Sequence, residues 1–172
     1  MAYLGVRLVN GTGASMMQYV KDFKALGFDV CLLCDSDDTS INDQKKHLKD
    51  IEIIDWQNDY SIEQQLFNDL SWDKVVEMIE YRISTDNIEN RSIFNNVYAT
   101  KNPQPIFNEN WYKTELEGLR ALLGETSKRS SWYKRIDHGV VVGNIIFSGF
   151  ETLGNDKRTK QMLHNLINWI DR

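Results

Sequence analysis

The sequence predicts an α/β protein: a parallel sheet flanked by helices, continued by a mostly helical C-terminal extension. Three observations carry this. Strand-like and helix-like segments alternate through residues 1–84. The run Asp29–Cys34 is continuously apolar after its first residue, as in a strand covered on both faces. Beyond residue 85 the alternation stops and helical spacing dominates. The division expected is therefore an α/β core over 1–84 and a helical extension over 85–172, packed on or completing that core.

In order, Gly5–Asn10 (GVRLVN) reads as a short strand and Gly11-Thr12-Gly13 as a turn. Ala14–Leu26 carries Met16, Met17, Val20, Phe23 and Leu26 at helical spacing, and Gly27 supplies the stop. Asp29–Cys34 is the second strand. Ser40–Lys49 is polar and helical, and Ile51–Trp56 (IEIIDW) is a third strand. Ser61 heads SIEQQLFNDL, with Ile62, Leu66 and Phe67 on one helical face. Ser71 or Asp73 opens a further helix that runs to Tyr81. In the second half Thr85–Arg91 is polar, and Asn102-Pro103-Gln104-Pro105 is a break holding both prolines. Asn110–Leu123 reads as a helix ending at Gly124, and Glu125–Ser131 as a polar loop. Val140–Phe147 is apolar. Lys157–Ile170 is a final amphipathic helix, suited to core packing or to a homo-oligomer interface.

The chain has 172 residues, enough for one domain with a small appendage, and is 41% hydrophobic and 26% charged. No apolar run reaches the ~18–20 residues of a membrane span. The N-terminus lacks the basic start and long apolar stretch of a signal peptide. Cys31 and Cys34 stand at i, i+3 in one strand and so point to opposite faces, which fits reduced cytoplasmic thiols better than a zinc or redox pair. A net charge of −5 argues against coating nucleic acid by bulk charge, although an acidic metal site would be compatible with it. Positive charge is concentrated at Lys128, Arg129, Lys134 and Arg135.

In parallel sheets ligands bind beyond the carboxyl ends of the strands. Asp35-Ser36-Asp37-Asp38 lies there, as do Gly11–Gly13 and Tyr60–Glu63. Two carboxylates two residues apart suit Mg²⁺ or Mn²⁺, which are bound by one or two carboxylates together with phosphate. The alternative is an Asx turn or helix N-cap, a role that Asp38 fits best. "CLLCDSDDT" also fits the hhhhDxDxT pattern of haloacid dehalogenase-type phosphatases, with Asp35 as nucleophile and Asp37 as acid. That family has the motif on its first strand and a later pair of acids, neither of which is found here. A receiver domain requires its phospho-acceptor after the third strand, whereas Asp35 follows the second.

Several segments in order resemble the TOPRIM region of OLD-family (overcoming lysogenization defect) nucleases. "GVRLVNGTGAS" resembles its Gly-rich turn after a strand. "KALGFDVCLLCDSDD" resembles its helix–Leu-Gly–strand–DxD segment. "DWQNDYSIEQQLFNDL" resembles the stretch bearing Ser-x-Glu, and "SSWYKRIDHGVVVG" a C-terminal segment that brings a basic residue to the site. The resemblance implies Asp35, Asp37 and Glu63 as metal ligands, with Ser61 and Asp38 in support and Lys134 facing the scissile phosphate. It implies Lys128, Arg129 and Arg135 on neighbouring phosphates of DNA. Ser61 could equally be only an N-cap, Lys134 a solvated charge, and Trp132 and Tyr133 core residues. His138 is a weak candidate for phosphate contact.

The family's Glu-Gly-x-x-Glu motif has no counterpart between Met1 and Asn10, and no Gly-x-x-x-x-Gly-Lys-Ser/Thr loop occurs, so no ATP site is expected. The implied function is the catalytic portion of a Mg²⁺- or Mn²⁺-dependent endonuclease, its second ion depending on acids from elsewhere. It would act with an ATPase domain or subunit encoded upstream, in the cytoplasm, in phage defence. The alternatives are a non-catalytic TOPRIM remnant that docks on such a partner, and a phosphatase-like hydrolase.

Overall fold

A computed structural model describes residues 5–11, 15–56, 59–85 and 88–172. The fold is mixed α/β and mainly helical. Its elements are α1 (Ser15–Ala25), β1 (Cys31–Cys34), α2 (Thr39–Lys45), β2 (Glu52–Asp55), α3 (Ile62–Asp69), α4 (Trp72–Ser84), α5 (Asn90–Val97), α6 (Leu119–Arg129), α7 (Ile136–Gly149), a 3₁₀ turn at Phe150–Thr152, and α8 (Arg158–Ile170). Two compact units result: Met1–Tyr60 with Gln161–Arg172, and Ser61–Lys160. The division expected from the sequence falls after residue 84 instead.

In the first unit β1 and β2 pair in parallel, from Cys31 opposite Glu52 to Cys34 opposite Asp55, with α2 as their crossover. The helix before β1 ends as its glycine requires. Gly27 takes φ +84°, its N–H donates to Lys24 O, and the Phe28 N–H donates to Phe23 O. The rings of Phe23 and Phe28 then meet edge to face at 5.9 Å. These are the two hydrogen bonds and the apolar contact of a Schellman motif. Met17 and Val20 of α1 pack on Leu32, with Cys34 and Ile41 around them. On the opposite face Ile54 and Trp56 pack with Met162, Cys31 and Leu166. Both faces of the short sheet are thus covered, although Leu33 remains 46% exposed.

Gly5–Asn10 is not a strand, contrary to the expectation for GVRLVN. Leu8 is 85% exposed and Val9 is exposed too, so the segment has little apolar side chain set against a packing surface. Strand propensity is chiefly a preference for a half-buried pleated surface, and it has no effect where none is offered. Residues 12 and 13 of the expected Gly-rich turn lie outside the described residues.

The second unit is helical. Its core holds Phe67, Leu70, Met78, Ile79, Leu123 and Trp132; α3 packs on α6, α4 on α7 and α5 on α6. Asp69, buried at the end of α3, accepts from Gln65 Nε2 (3.0 Å) and from the Thr159 N–H (2.8 Å) at the start of α8. The helix expected over Asn110–Leu123 is displaced: α6 begins at Leu119 and continues through Gly124 and most of the expected loop. Gly118 stands at φ +75°, which a continuous helix cannot accommodate. Upstream, Trp111 and Tyr112 are both buried from a turn, where Asn108 Oδ1 accepts from the Asn110 N–H at 2.7 Å. Gly124 is therefore not a stop. A Cβ there would lie 3.0 Å from the Gln64 Cα, so the glycine permits the close approach of α6 to α3.

Candidate functional site

The carboxyl end of β1 opens into a groove of about 400 Å³ lined by Gly11, Met16, Leu33, Asp35, Asp37 and Asp38, among others. The turn Asp35-Ser36-Asp37 contributes both of its aspartates to that lining. Ser36 is buried and anchors that turn at two points: its hydroxyl donates to Trp56 O just beyond β2, and its N–H donates to Tyr60 O, next to the N-cap of α3, at 3.1 Å. From α2, Asn42 Nδ2 donates to Ser36 O at 2.6 Å. One turn later on the same helix face, Lys45 Nζ donates to Asp35 O (3.0 Å), Asn42 Oδ1 (2.8 Å) and Asp55 Oδ2 (3.2 Å).

The three adjacent acids have separate roles. Asp38 is the N-cap of α2, accepting from the Ser40 N–H (2.9 Å) and the Ile41 N–H (3.2 Å). Asp37 is half-buried and Asp35 exposed, both in the groove wall. Burial, reinforced by the Glu52 carboxylate, pushes the Cys31 thiol up to about 11. Burial also raises Cys34, with Lys45 pulling the other way. Both cysteines are free, and neither carries the lowered pKa of a reactive thiol.

The other sequence candidates lie in the second unit. Ser61 is buried as the N-cap of α3 in a capping box: its Oγ accepts from the Gln64 N–H and Gln64 Oε1 accepts from the Ser61 N–H. Glu63, in the first turn of α3, is buried at 4% exposure. Lys128 and Arg129 close α6; Arg129 Nη2 donates to Asn96 O at 3.2 Å. Arg135 pairs with Asp137 through Nε–Oδ1 (3.1 Å) and Nη2–Oδ2 (2.8 Å). Lys134 is exposed. Trp132 and Tyr133 are core residues: Trp132 packs edge to face on Phe67, and the Tyr133 hydroxyl donates to Met78 O at 2.9 Å. His138 is buried, and its Nδ1 lies 2.9 Å from Trp132 O. A carbonyl only accepts, so Nδ1 carries the proton. A side chain so enclosed does not reach a phosphate from outside.

Sequence reasoning missed Ser36, Asn42, Lys45 and Asp55. Asp55 carried a readable signal, being a carboxylate at the end of a strand. Lys45 did not, because a lysine in a polar helix reads as solvated.

The donors present decide which ion the groove suits. Among the described residues no three His, Cys, Asp or Glu side chains are gathered as a metal site. The Asp55 carboxylate is engaged by Lys45. Asp35 and Asp37 are hard oxygen donors of the kind Mg²⁺ takes together with water and phosphate oxygens, and two carboxylates are too few for a two-ion centre. Among the described residues no helix is long and apolar enough to cross a membrane. No family model, curated protein or solved structure matches the chain.

Proposed function

We propose that this chain is the TOPRIM-like catalytic portion of a Mg²⁺- or Mn²⁺-dependent DNA endonuclease, acting in the cytoplasm with an ATPase domain or subunit in phage defence. The observation that supports it is the placement of Asp35 and Asp37 on a braced turn, in an open groove at the carboxyl end of a parallel sheet. The cation would polarise a phosphoryl oxygen and acidify an attacking water. The chain's own part is to hold two carboxylates at fixed separation and to keep the turn beneath them from rearranging. The family resemblance adds Glu63 as a further ligand and Lys134 as the counter-charge to the phosphate, with Lys128, Arg129 and Arg135 on the DNA backbone.

Plasmid nicking in Mn²⁺, with and without the polypeptide encoded immediately upstream, tests the reading. Little cutting is expected from the chain alone, because the second ion of the expected pair would depend on acids from elsewhere. Cutting on complementation should vanish in Asp37→Asn and fall in Glu63→Gln and Lys134→Ala. Complemented protein that leaves plasmid intact, or cuts equally well as Asp37→Asn, overturns it. A second reading, a non-catalytic module that docks on such a partner, draws on the engagement of Asp55 by Lys45. It expects partner binding with no Mn²⁺ heat in calorimetry and no change on Asp35→Ala. Hydrolysis of a phosphomonoester without nicking would instead point to a phosphatase.

A further inference from the structure

We infer that Lys45 is the positioning residue of the groove: an internal cation that fixes the turn carrying Asp35 and Asp37. The inference rests on the reading of the groove as a cation site. Lys45 is 7% exposed, a depth at which an ammonium persists only if its hydrogens are satisfied. An ammonium has three N–H donors, and three oxygens receive them. They come from three elements: the Asp35 carbonyl just beyond β1, the Asp55 carboxylate that closes β2, and Asn42 one turn back on α2.

An ordinary structural ion pair would need only Asp55. The bond to the Asp35 carbonyl is the informative one, because it fixes the peptide that joins Asp35 to Ser36. Asn42 holds the next carbonyl, while the Ser36 hydroxyl reaches Trp56 just beyond β2 and its N–H reaches Tyr60. Two consecutive peptides between the two groove carboxylates are thus clamped from α2. Reorienting either carboxylate by a backbone rotation would break at least one of these bonds. The same ammonium draws Asp55 to itself, and Asp55 is not among the residues that line the groove. Asp35 and Asp37 line the groove on either side of the clamped peptides, beside the capping Asp38.

The test uses the full chain and two readouts: amide hydrogen exchange across residues 31–38, and Mn²⁺ titration by calorimetry. In Lys45→Met the Ser36 amide should exchange about tenfold faster or more, while peptides from α3 and α6 keep wild-type rates. Mn²⁺ affinity should shift severalfold, because the variant loosens the turn while removing one positive charge and releasing Asp55. Asn42→Ala, which keeps the Lys45–Asp55 pair, should accelerate Ser36 less; it also serves if Lys45→Met does not fold. Asp55→Asn should leave Ser36 exchange near wild type, because the Asp35 and Asn42 bonds remain. Ser36 exchange at the wild-type rate in both Lys45→Met and Asn42→Ala overturns the inference, as does unchanged Mn²⁺ affinity in a folded Lys45→Met. Faster exchange in protein that binds no Mn²⁺ even as wild type would sink the cation reading of the groove and leave the clamp standing.

Discussion

Gly124 of α6 faces the Cα of Gln64 on α3 so closely that a Cβ on the glycine would lie 3.0 Å from it. The obstacle is backbone, which cannot swing aside as a side-chain tip can. Gly124→Ala should gain about 1 kcal/mol of helix propensity but lose about 1–3 kcal/mol to overpacking, for a net loss. At Gly139 and Gly143 of α7 an added methyl would meet nothing within 4 Å. Alanine at either should stabilise by about 0.5–1 kcal/mol. Urea unfolding of the three variants checks the contrast, and a stabilised Gly124→Ala would refute the close-contact account.

Asp37 and Asp38 are neighbours whose substitutions should separate cleanly. Asp38→Ala removes the acceptor of two N–H groups at the start of α2 and should cost about 1 kcal/mol, with Asn or Ser restoring most of it. Asp37→Asn should leave the thermal midpoint nearly unchanged and abolish Mn²⁺ heat. If both substitutions lower the midpoint equally, the division of labour along the turn is wrong.

These contrasts show how unevenly the chain can be read. The α1 stop at Gly27, the two strands and α8 are legible because periodicity and a helix-ending glycine are local signals. The caps at Asp38 and Ser61 are legible as options, since Asp and Ser favour those positions whether or not they also bind ligands. The segment Asn90–Val97 (NRSIFNNV) escapes a sequence reading because Ile93, Phe94 and Val97 are three apolar residues in a polar run. Gly124 misleads, because a glycine chosen for close approach looks the same in sequence as one that ends a helix. At the site, the acids are visible and the lysine beneath them is not. Burial of a charge is decided by which elements meet, and no local pattern records that.

The thiol of Cys31 should report its own burial through pH. The unfolded thiol ionises near 9.0 and the folded one near 11. Raising pH through that window deprotonates the unfolded chain first, so the unfolded state binds fewer protons there and stability falls. Below 9 the group contributes no such loss. At pH 8 the raised value leaves Cys31 with far less thiolate than in the unfolded chain. Iodoacetamide labelling of native protein should be correspondingly slow at Cys31 and should climb steeply up to pH 11. Native and urea-unfolded protein labelling at one rate would contradict the burial.

His138 should behave as a core residue. His138→Ala removes the donor to Trp132 O and opens space beneath Tyr81, whose ring meets the imidazole edge to face at 5.7 Å. A loss of about 2–3 kcal/mol is expected in chemical denaturation. DNA retention by whatever protein remains folded should match wild type. Weaker retention at unchanged stability would place His138 in contact with nucleic acid after all.

Among the described residues β1 pairs only with β2, so each of these four-residue strands keeps one edge without a neighbour. Unoccupied edges invite an extra strand from any chain that presents one, and they are a common origin of aggregates. The apolar run Val30–Cys34 is bracketed by Asp29 and Asp35, both exposed, in the manner of gatekeepers that make self-stacking repulsive. That protection is electrostatic and weakens as salt shortens the reach of charge. Clouding on concentration in high salt, relieved by dilution into low salt, is the behaviour this sheet should impose on anyone who purifies the protein.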